Sequence, residues 1–152
     1  MKTLYLEVAK QLSEKCPFLR MIDLDLGQME TPFGATSRPM VAYPCALITI
    51  DIPRVEDITI LTQRCVATIT IRYNIDRTQD TALHVSEARR SQGLEPYDHI
   101  TEIYKALQGF WTPHFSPLHR TRQGREHSAP KGIFRYTIQF ETEFEDFLAE
   151  ED

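Results

Sequence analysis

Cysteine is scarce in this sequence, and so are long apolar runs. The three cysteines, Cys16, Cys45 and Cys65, lie far apart and form no Cys-x-x-Cys pair. This spacing excludes a disulfide framework and a cysteine-based zinc site, so we predict three buried, reduced thiols. The opening MKTLYLEVAKQL is charged where a signal peptide would be apolar, and no run approaches the roughly 20 apolar residues of a membrane helix. We therefore expect no leader and no membrane partner.

Basic residues are fewer than acidic residues. The chain has 17 lysines and arginines against 22 aspartates and glutamates, for a net charge of −5. Sequence-specific nucleic-acid-binding domains carry a dominant basic patch, so we expect no such partner. With 41% hydrophobic and 26% charged residues, the 152 residues suit an ordinary globular chain. The length predicts a single domain, residues 1–152.

Catalytic signatures are missing as well. The sequence contains no G-x-S-x-G nucleophile elbow, no G-x-x-x-x-G-K-[ST] phosphate loop and no G-x-G-x-x-G dinucleotide fingerprint. Asp23 and Asp25 share one face of a predicted strand and could act with a histidine in a small hydrolase. Alternating acids on a strand are far more often simply solvated. We predict that the protein is not an enzyme and has neither catalytic residues nor a cofactor.

Apolar periodicity predicts two helices and five strands. Leu4, Val8 and Leu12 recur at helical spacing, and a second helix is framed by Asp98 as N-cap and Gly109 as C-terminal glycine. The predicted elements are helix 3–16, strands 18–26, 45–52 and 63–74, helix 98–108, a hairpin over 115–145 and an acidic tail over 146–152.

The strands alternate apolar and polar side chains, as in GIFRYTIQFETEFED. Half-polar strands are typical of antiparallel sheets, so we predict an α+β fold: a mostly antiparallel sheet of about five strands with two helices packed on one face. Segments 27–44 and 74–96 are predicted to be exposed, mobile loops. The predicted core comprises Leu4, Val8, Leu12, Ile22, Leu24, Ile48, Ile50, Ile69, Ile71, Ile103, Leu107, Ile138 and Phe140.

The stretch HFSPLHRTRQGREH, residues 114–127, concentrates three histidines and three arginines. A zinc site needs ligands about 2 Å from one metal. His114 and His119 are five residues apart and point to opposite faces of a strand. His119 and His127 share a face, but eight residues of strand separate them by about 26 Å. We predict no metal site.

The arginines support a different hypothesis. A turn near Ser128–Ala129 would place Arg122 opposite Arg135, with Arg120 on the same face, while that face becomes acidic toward the chain end. One interpretation is a solvated surface. The other is a charge-polarised surface that docks head-to-tail on a copy of the chain, an arrangement that closes into rings. The candidate subunit-contact residues are Arg120, Arg122, Arg135, Glu141, Glu143 and Glu145.

A family resemblance rests on five segments in order. They are LYLEVAKQL, YPCALITID, QRCVATITIRYNI, ITEIYKALQGF and GIFRYTIQFETEFED. The Tyr-Pro entry into an aliphatic strand and the I-x-x-I-x-x-x-L-x-G helix before the last hairpin are the most typical. As a pattern, the chain resembles the tail-terminator and neck-type minor tail proteins of long-tailed bacteriophages.

The resemblance implies a subunit without catalysis or cofactor that forms a hexameric ring at the head-proximal end of a tail. Such a ring caps the tail tube and offers a surface to the head connector. The implied partners are other copies of the chain, the tail tube protein and the head-connector protein. The implied location is the virion tail, and the host cytoplasm during assembly. The alternative is a small non-catalytic ligand-binding or interaction module in a bacterial cytoplasm, with the 27–44 loop as its pocket.

Overall fold

Five strands form one mixed sheet in the order β1-β2-β3-β5-β4. The structure, a computed structural model, describes residues 1–30, 41–76, 81–130 and 132–150. β1 runs parallel to β2, and every other neighbouring pair is antiparallel. The predicted α+β class and mostly antiparallel sheet are confirmed. The elements are α1 (Lys2–Lys15), β1 (Met21–Leu24), β2 (Cys45–Asp57), β3 (Gln63–Asp76), α2 (Glu87–Leu107), β4 (His119–Arg125), β5 (Ile133–Asp146) and a short 3-10 helix (Leu148–Glu150).

The core lies between one face of the sheet and the two helices. Strand side chains alternate between faces, so Ile71 of β3 and its partner Ile138 of β5 both meet Val8 of α1 and Ile103 of α2 in the main apolar cluster. Most of the predicted core is confirmed. Ile22 and Ile50 are only partly buried, and Leu4, Val8, Leu12, Ile48, Ile69, Ile71, Ile103, Leu107, Ile138 and Phe140 are buried.

Leu24 is the wrong member of the predicted core, because it is 41% exposed. It ends β1, which is an edge strand, and β1 is shorter than the predicted 18–26. The opposite sheet face holds a smaller cluster of Met29, Cys45 and Leu47. The described parts of the predicted loop 27–44 contain neither helix nor strand, and residues 31–40 lie outside the described residues.

α2 begins well before the predicted start at Asp98. Ser86 is its N-cap, and the Ser86 hydroxyl accepts a hydrogen bond of 3.3 Å from the backbone N–H of Arg89. The helix runs through the buried Pro96. A proline inside a helix removes one backbone hydrogen bond, which is why the sequence pattern favoured a later start. The predicted loop is therefore wrong for residues 74–76 and 87–96, and residues 77–80 lie outside the described residues.

The helix ends where predicted, since Gly109 takes a positive φ of 77° beyond Leu107. β2, in contrast, continues past Pro53, where the sequence predicted its end. The β2–β3 register shifts between Asp51 and Arg54, so the proline lies within an irregularity where no ladder N–H is needed. As a result the β2–β3 hairpin extends to a turn at residues 58–62.

Candidate subunit-contact site

β4 is a basic strand at the edge of the sheet. Its sequence, HRTRQGR, has three arginines and one histidine but no carboxylate, and every residue except Gly124 is exposed. An edge strand presents unpaired backbone groups, and basic side chains are one way to keep such an edge from pairing at random. β4 therefore offers a cationic surface at the edge of the sheet.

The arginines of the predicted contact face do not share one face. A register shift around Thr121 places Arg120 opposite Phe140 and Arg122 opposite Gln139. Residues opposite each other share a face, so Arg120 lies on the helix side, where its guanidinium carbon is 4.0 Å from the centre of the Tyr104 ring. Arg122 lies on the other side. The predicted pairing of Arg122 with Arg135 is wrong, because the turn comes later than Ser128–Ala129 and places Arg122 opposite Gln139.

Arg135 is enclosed by its own chain, with only 1% of its surface exposed. Its Nε donates a 3.0 Å hydrogen bond to Asn74 Oδ1. One terminal nitrogen lies 3.4 Å from Glu30 and 3.5 Å from Glu126, while the other has no hydrogen-bond partner in the described part of the chain. Its charge is thus engaged within the subunit, and it is no part of an exposed contact surface.

Arg72 completes this charged cluster. It contacts Asp25 at 3.1 Å and Glu126 at 3.4 Å. Burial acts to raise the pKa of Glu126. The Thr137 hydroxyl, which donates at 2.5 Å, together with Arg72 and Arg135, nevertheless holds that pKa below its usual value. Asp25, one of the two candidate hydrolase acids, therefore belongs to a structural ion network.

The sequence reasoning missed this cluster because its members are far apart in the chain. In the sequence, Arg72 and Arg135 occupy polar positions of alternating strands, as do the exposed polar residues around them. The strand parity did place Arg135 on the less apolar face. In the described part of the chain, Arg135 is buried and contacts Glu30 and Glu126, which are far from it in sequence or beyond the hairpin turn.

The predicted acidic residues lie along the far half of β5. Glu141 is opposite His119, with 3.9 Å between His119 Nε2 and Glu141 Oε1. Glu143 and Glu145 are exposed, and Glu145 is opposite Arg64 of β3. From residue 143 to 150 the sequence EFEDFLAE holds four carboxylates and no basic residue. Contact of these glutamates with a second copy stays a prediction.

The histidines of residues 114–127 do not converge. His114 Nδ1 lies 3.1 Å from Glu7 of α1, whereas His119 pairs with β5 and His127 is exposed in the turn. Within residues 1–30, 41–76, 81–130 and 132–150, no group of three or more histidine, cysteine or acidic side chains could hold a metal ion. Among the helices that the structure describes, none has the length and apolar character to cross a membrane.

The three cysteines are buried and unpaired, as predicted. Burial raises the pKa of the Cys16 thiol to about 11, with a smaller contribution from the nearby Glu102 carboxylate. Burial likewise raises the pKa of Cys45 to about 11. These thiols are protonated and poorly reactive near neutral pH.

These features define a small α+β protein with helices on one sheet face and a cationic strand at the sheet edge. No protein-family model matches the chain, and no curated protein matches it. Among solved structures, the chain is similar to a chain of one described as "Virion of native gene transfer agent (GTA) particle". The TM-score is 0.46 at 12% sequence identity, over 95% of this chain and 91% of that chain. With so few identical residues, that chain assigns no role to any residue here.

Proposed function

We propose that this chain is a structural, non-catalytic subunit of a phage-like virion. In this proposal copies of the chain associate head-to-tail into a ring, which caps a tail tube as a tail terminator or head–tail joining component. The observation that supports it is the separation of charge between two exposed surfaces of one subunit. These are the cationic strand β4 and the acidic segment 143–150.

The two surfaces are too far apart to neutralise each other along most of their length. Arg122 is opposite Gln139, and Glu145 lies six residues further along β5. At roughly 3.3 Å per residue this is about 20 Å, far beyond the distance of an ion pair. Two different, complementary surfaces on one molecule favour a heterologous contact between copies, and such contacts close into rings when the rotation allows it.

The charges would set the orientation of neighbours more than the strength of their association. Exposed ion pairs contribute only about 0–1 kcal/mol each. Complementary potentials instead accelerate encounter and disfavour wrong registers. A neighbour placed against β4 would also cover this edge of the sheet. The remaining ring surfaces would meet the tail tube protein and the head-connector protein, with the virion tail as the location.

The oligomeric state of the purified protein tests this proposal. We expect light scattering and sedimentation to show a ring-sized oligomer for the parent chain and a smaller species for Arg122→Glu. Arg89→Glu is the matched control, because Arg89 is equally exposed but lies on α2. Adding Glu145→Arg to Arg122→Glu should restore the oligomer, since the reversed charges meet again across the interface.

A functional assay addresses the capping role separately. The parent chain, added to polymerising tail tubes, should stop their growth and narrow the length distribution seen by electron microscopy. Arg122→Glu should leave the tubes longer than the parent does. A parent chain that stays monomeric at every concentration and in the presence of tubes would contradict the proposed function.

A further inference from the structure

The turn of the β2–β3 hairpin presents apolar side chains to solvent. In this hairpin tip, residues 57–62, Ile60 is 96% exposed, and Ile58 and Leu61 are each nearly half exposed. Hydrogen bonds close the turn. The Ile58 N–H donates to Thr62 O at 2.9 Å, and the Thr62 N–H donates to Thr59 Oγ1 at 3.0 Å. Turns are ordinarily polar, so a hydrogen-bonded turn that holds apolar groups outward is typical of an interaction site.

The chain end extends this apolar surface and rims it with acid. The Thr62 hydroxyl donates a hydrogen bond to the Glu150 carboxylate, which holds the 3-10 helix beside the hairpin tip. Phe147 is half exposed there. Asp57 at the base of the tip and Asp146 at the end of β5 lie next to Gln63 in the sheet register. The hairpin tip is therefore an exposed apolar surface bordered by acidic residues.

A second apolar surface, with a basic rather than an acidic residue beside it, lies at the other end of β5. The ring of Tyr97 on α2 is 5.7 Å from that of Phe134 and 6.3 Å from that of Tyr136. Tyr97 is 48% exposed, and Leu94, one helical turn earlier, is 42% exposed. The Arg125 guanidinium lies 4.9 Å from the centre of the Phe134 ring. These residues form an aromatic patch with a cationic rim.

We infer that the hairpin tip of one copy docks on the aromatic patch of the next copy in the ring. This inference rests on the proposed function and names the apolar part of its subunit contact. The two surfaces match in charge, since the tip is rimmed by acid and the patch by arginine. Ten residues of β5 separate Asp146 from Tyr136, about 33 Å of strand, so one molecule cannot close the contact on itself. The complementary charge of tip and patch favours a second copy as the occupant.

Mixed cysteine cross-linking tests the contact. Ile60→Cys protein is combined with Tyr97→Cys protein under a mild disulfide oxidant such as oxidised glutathione. The native cysteines are buried and do not compete. We expect a mixed disulfide dimer, and no such product when Ile60→Cys is combined with Leu26→Cys. Leu26 is the matched control, because it is 79% exposed but lies beyond β1, away from the patch.

A second pair of variants measures the contribution of the tip. Ile60→Asp should weaken association at least tenfold, whereas Leu26→Asp should not, and both should keep the parent's circular dichroism. If the parent is oligomeric but Ile60→Cys links only to itself, or to neither partner, the docking inference is overturned while the proposed function stands. A parent that never associates removes the proposed function, and the docking inference falls with it.

Discussion

Arg135 is the largest side chain that is fully buried in the described part of the fold. Its guanidinium is held by Asn74 and by the carboxylates of Glu30 and Glu126. A buried charge costs little only while its partners remain, because removing one partner leaves the other uncompensated. Arg122 and Arg135 both lie on strands in which polar and apolar residues alternate. Arg122 is exposed on β4, whereas Arg135 is buried on β5.

Exchanging the charge of these two arginines should have opposite consequences for stability. Arg135→Glu places a buried carboxylate against Glu30 and Glu126, so we expect a loss of about 3–5 kcal/mol or no folding at all. Arg122→Glu should change the free energy of unfolding by no more than about 0.5 kcal/mol, since its site is exposed. Urea denaturation of the monomeric form measures both, since association would itself add to the apparent stability of the parent. Equal losses would show that Arg135 is not enclosed as described.

Two isoleucines of the same hairpin provide a second contrast. Ile69 is fully buried in β3, and Ile60 is almost fully exposed in the hairpin tip. Ile69→Ala should lower the free energy of unfolding by roughly 2–5 kcal/mol, because it removes buried methyl groups and leaves a cavity. Ile60→Ala should change it by less than about 0.5 kcal/mol. Denaturant titration of the monomeric form is the measurement, and a small effect at Ile69 would mean that β3 faces the other way.

Glu126 predicts a response to acid. Its pKa in the folded chain lies below the ordinary value of 4.5. Its contribution to stability is therefore complete above about pH 4.5 and is lost as the pH falls through the lower, folded-state pKa. Glu126→Gln should lower the free energy of unfolding at neutral pH. Below pH 4.5, the free energy of unfolding of this variant should fall less steeply than that of the parent. A parallel acid decline in both proteins would argue against the contacts of Glu126 with Arg72 and Arg135.

At the scale of elements, capping and bulges set the boundaries of α2 and β2. Ser86 starts α2 about two and a half turns before Pro96, so the helix presents Leu94 and Tyr97 together. The irregularity between Asp51 and Arg54 lets β2 pass Pro53 and carry the hairpin tip outward. Both proposed halves of the subunit contact thus depend on an element that continues past a proline.

The N-cap of α2 can be tested directly. Ser86→Ala removes the acceptor for the Arg89 N–H and should cost about 0.5–2 kcal/mol, with faster hydrogen exchange over residues 87–95. Ser91→Ala, an exposed change within the same helix, should leave the exchange rates unchanged or slower, because alanine is the better helix former. If the amides of residues 87–95 exchange equally fast in the two variants, Ser86 is not the N-cap of α2.

At the scale of the whole molecule, the two ends of β5 differ in both charge and apolar character. The aromatic patch lies toward its start and β4 pairs with its middle, residues 136–141, while the acidic segment 143–150 and the hairpin tip lie toward its end. A subunit polarised in this way is suited to head-to-tail association, in which each copy uses both ends.

Salt should separate the two contributions to that association. The screening length falls from about 10 Å at 0.1 M salt to about 3 Å at 1 M. We expect the parent oligomer to weaken over this range, as followed by light scattering against salt concentration. The variant combining Arg122→Glu with Glu145→Arg should show the same dependence, whereas Arg122→Glu alone should not. If the size of the parent oligomer does not change with salt concentration, charge does not contribute to the contact.

The sequence by itself determined the parts of this protein in which burial decides the structure. Strict alternation in β3 and β5 and helical spacing in α1 place Ile69, Ile138 and Val8 in the core, since any other register would expose them. The five strands, the two helices and their packing on one face could therefore be predicted. The buried cysteines followed from their spacing and apolar surroundings.

Only the tertiary structure decided the hairpin register and the fate of its arginines. A one-residue bulge near Thr121 turns Arg120 toward Tyr104, and no local pattern announces such a bulge. Arg135 is buried, and one of its contacts is with Glu30, 105 residues away in the chain. Polar side chains on a half-buried strand look alike in sequence, and their burial depends on which distant segment covers them.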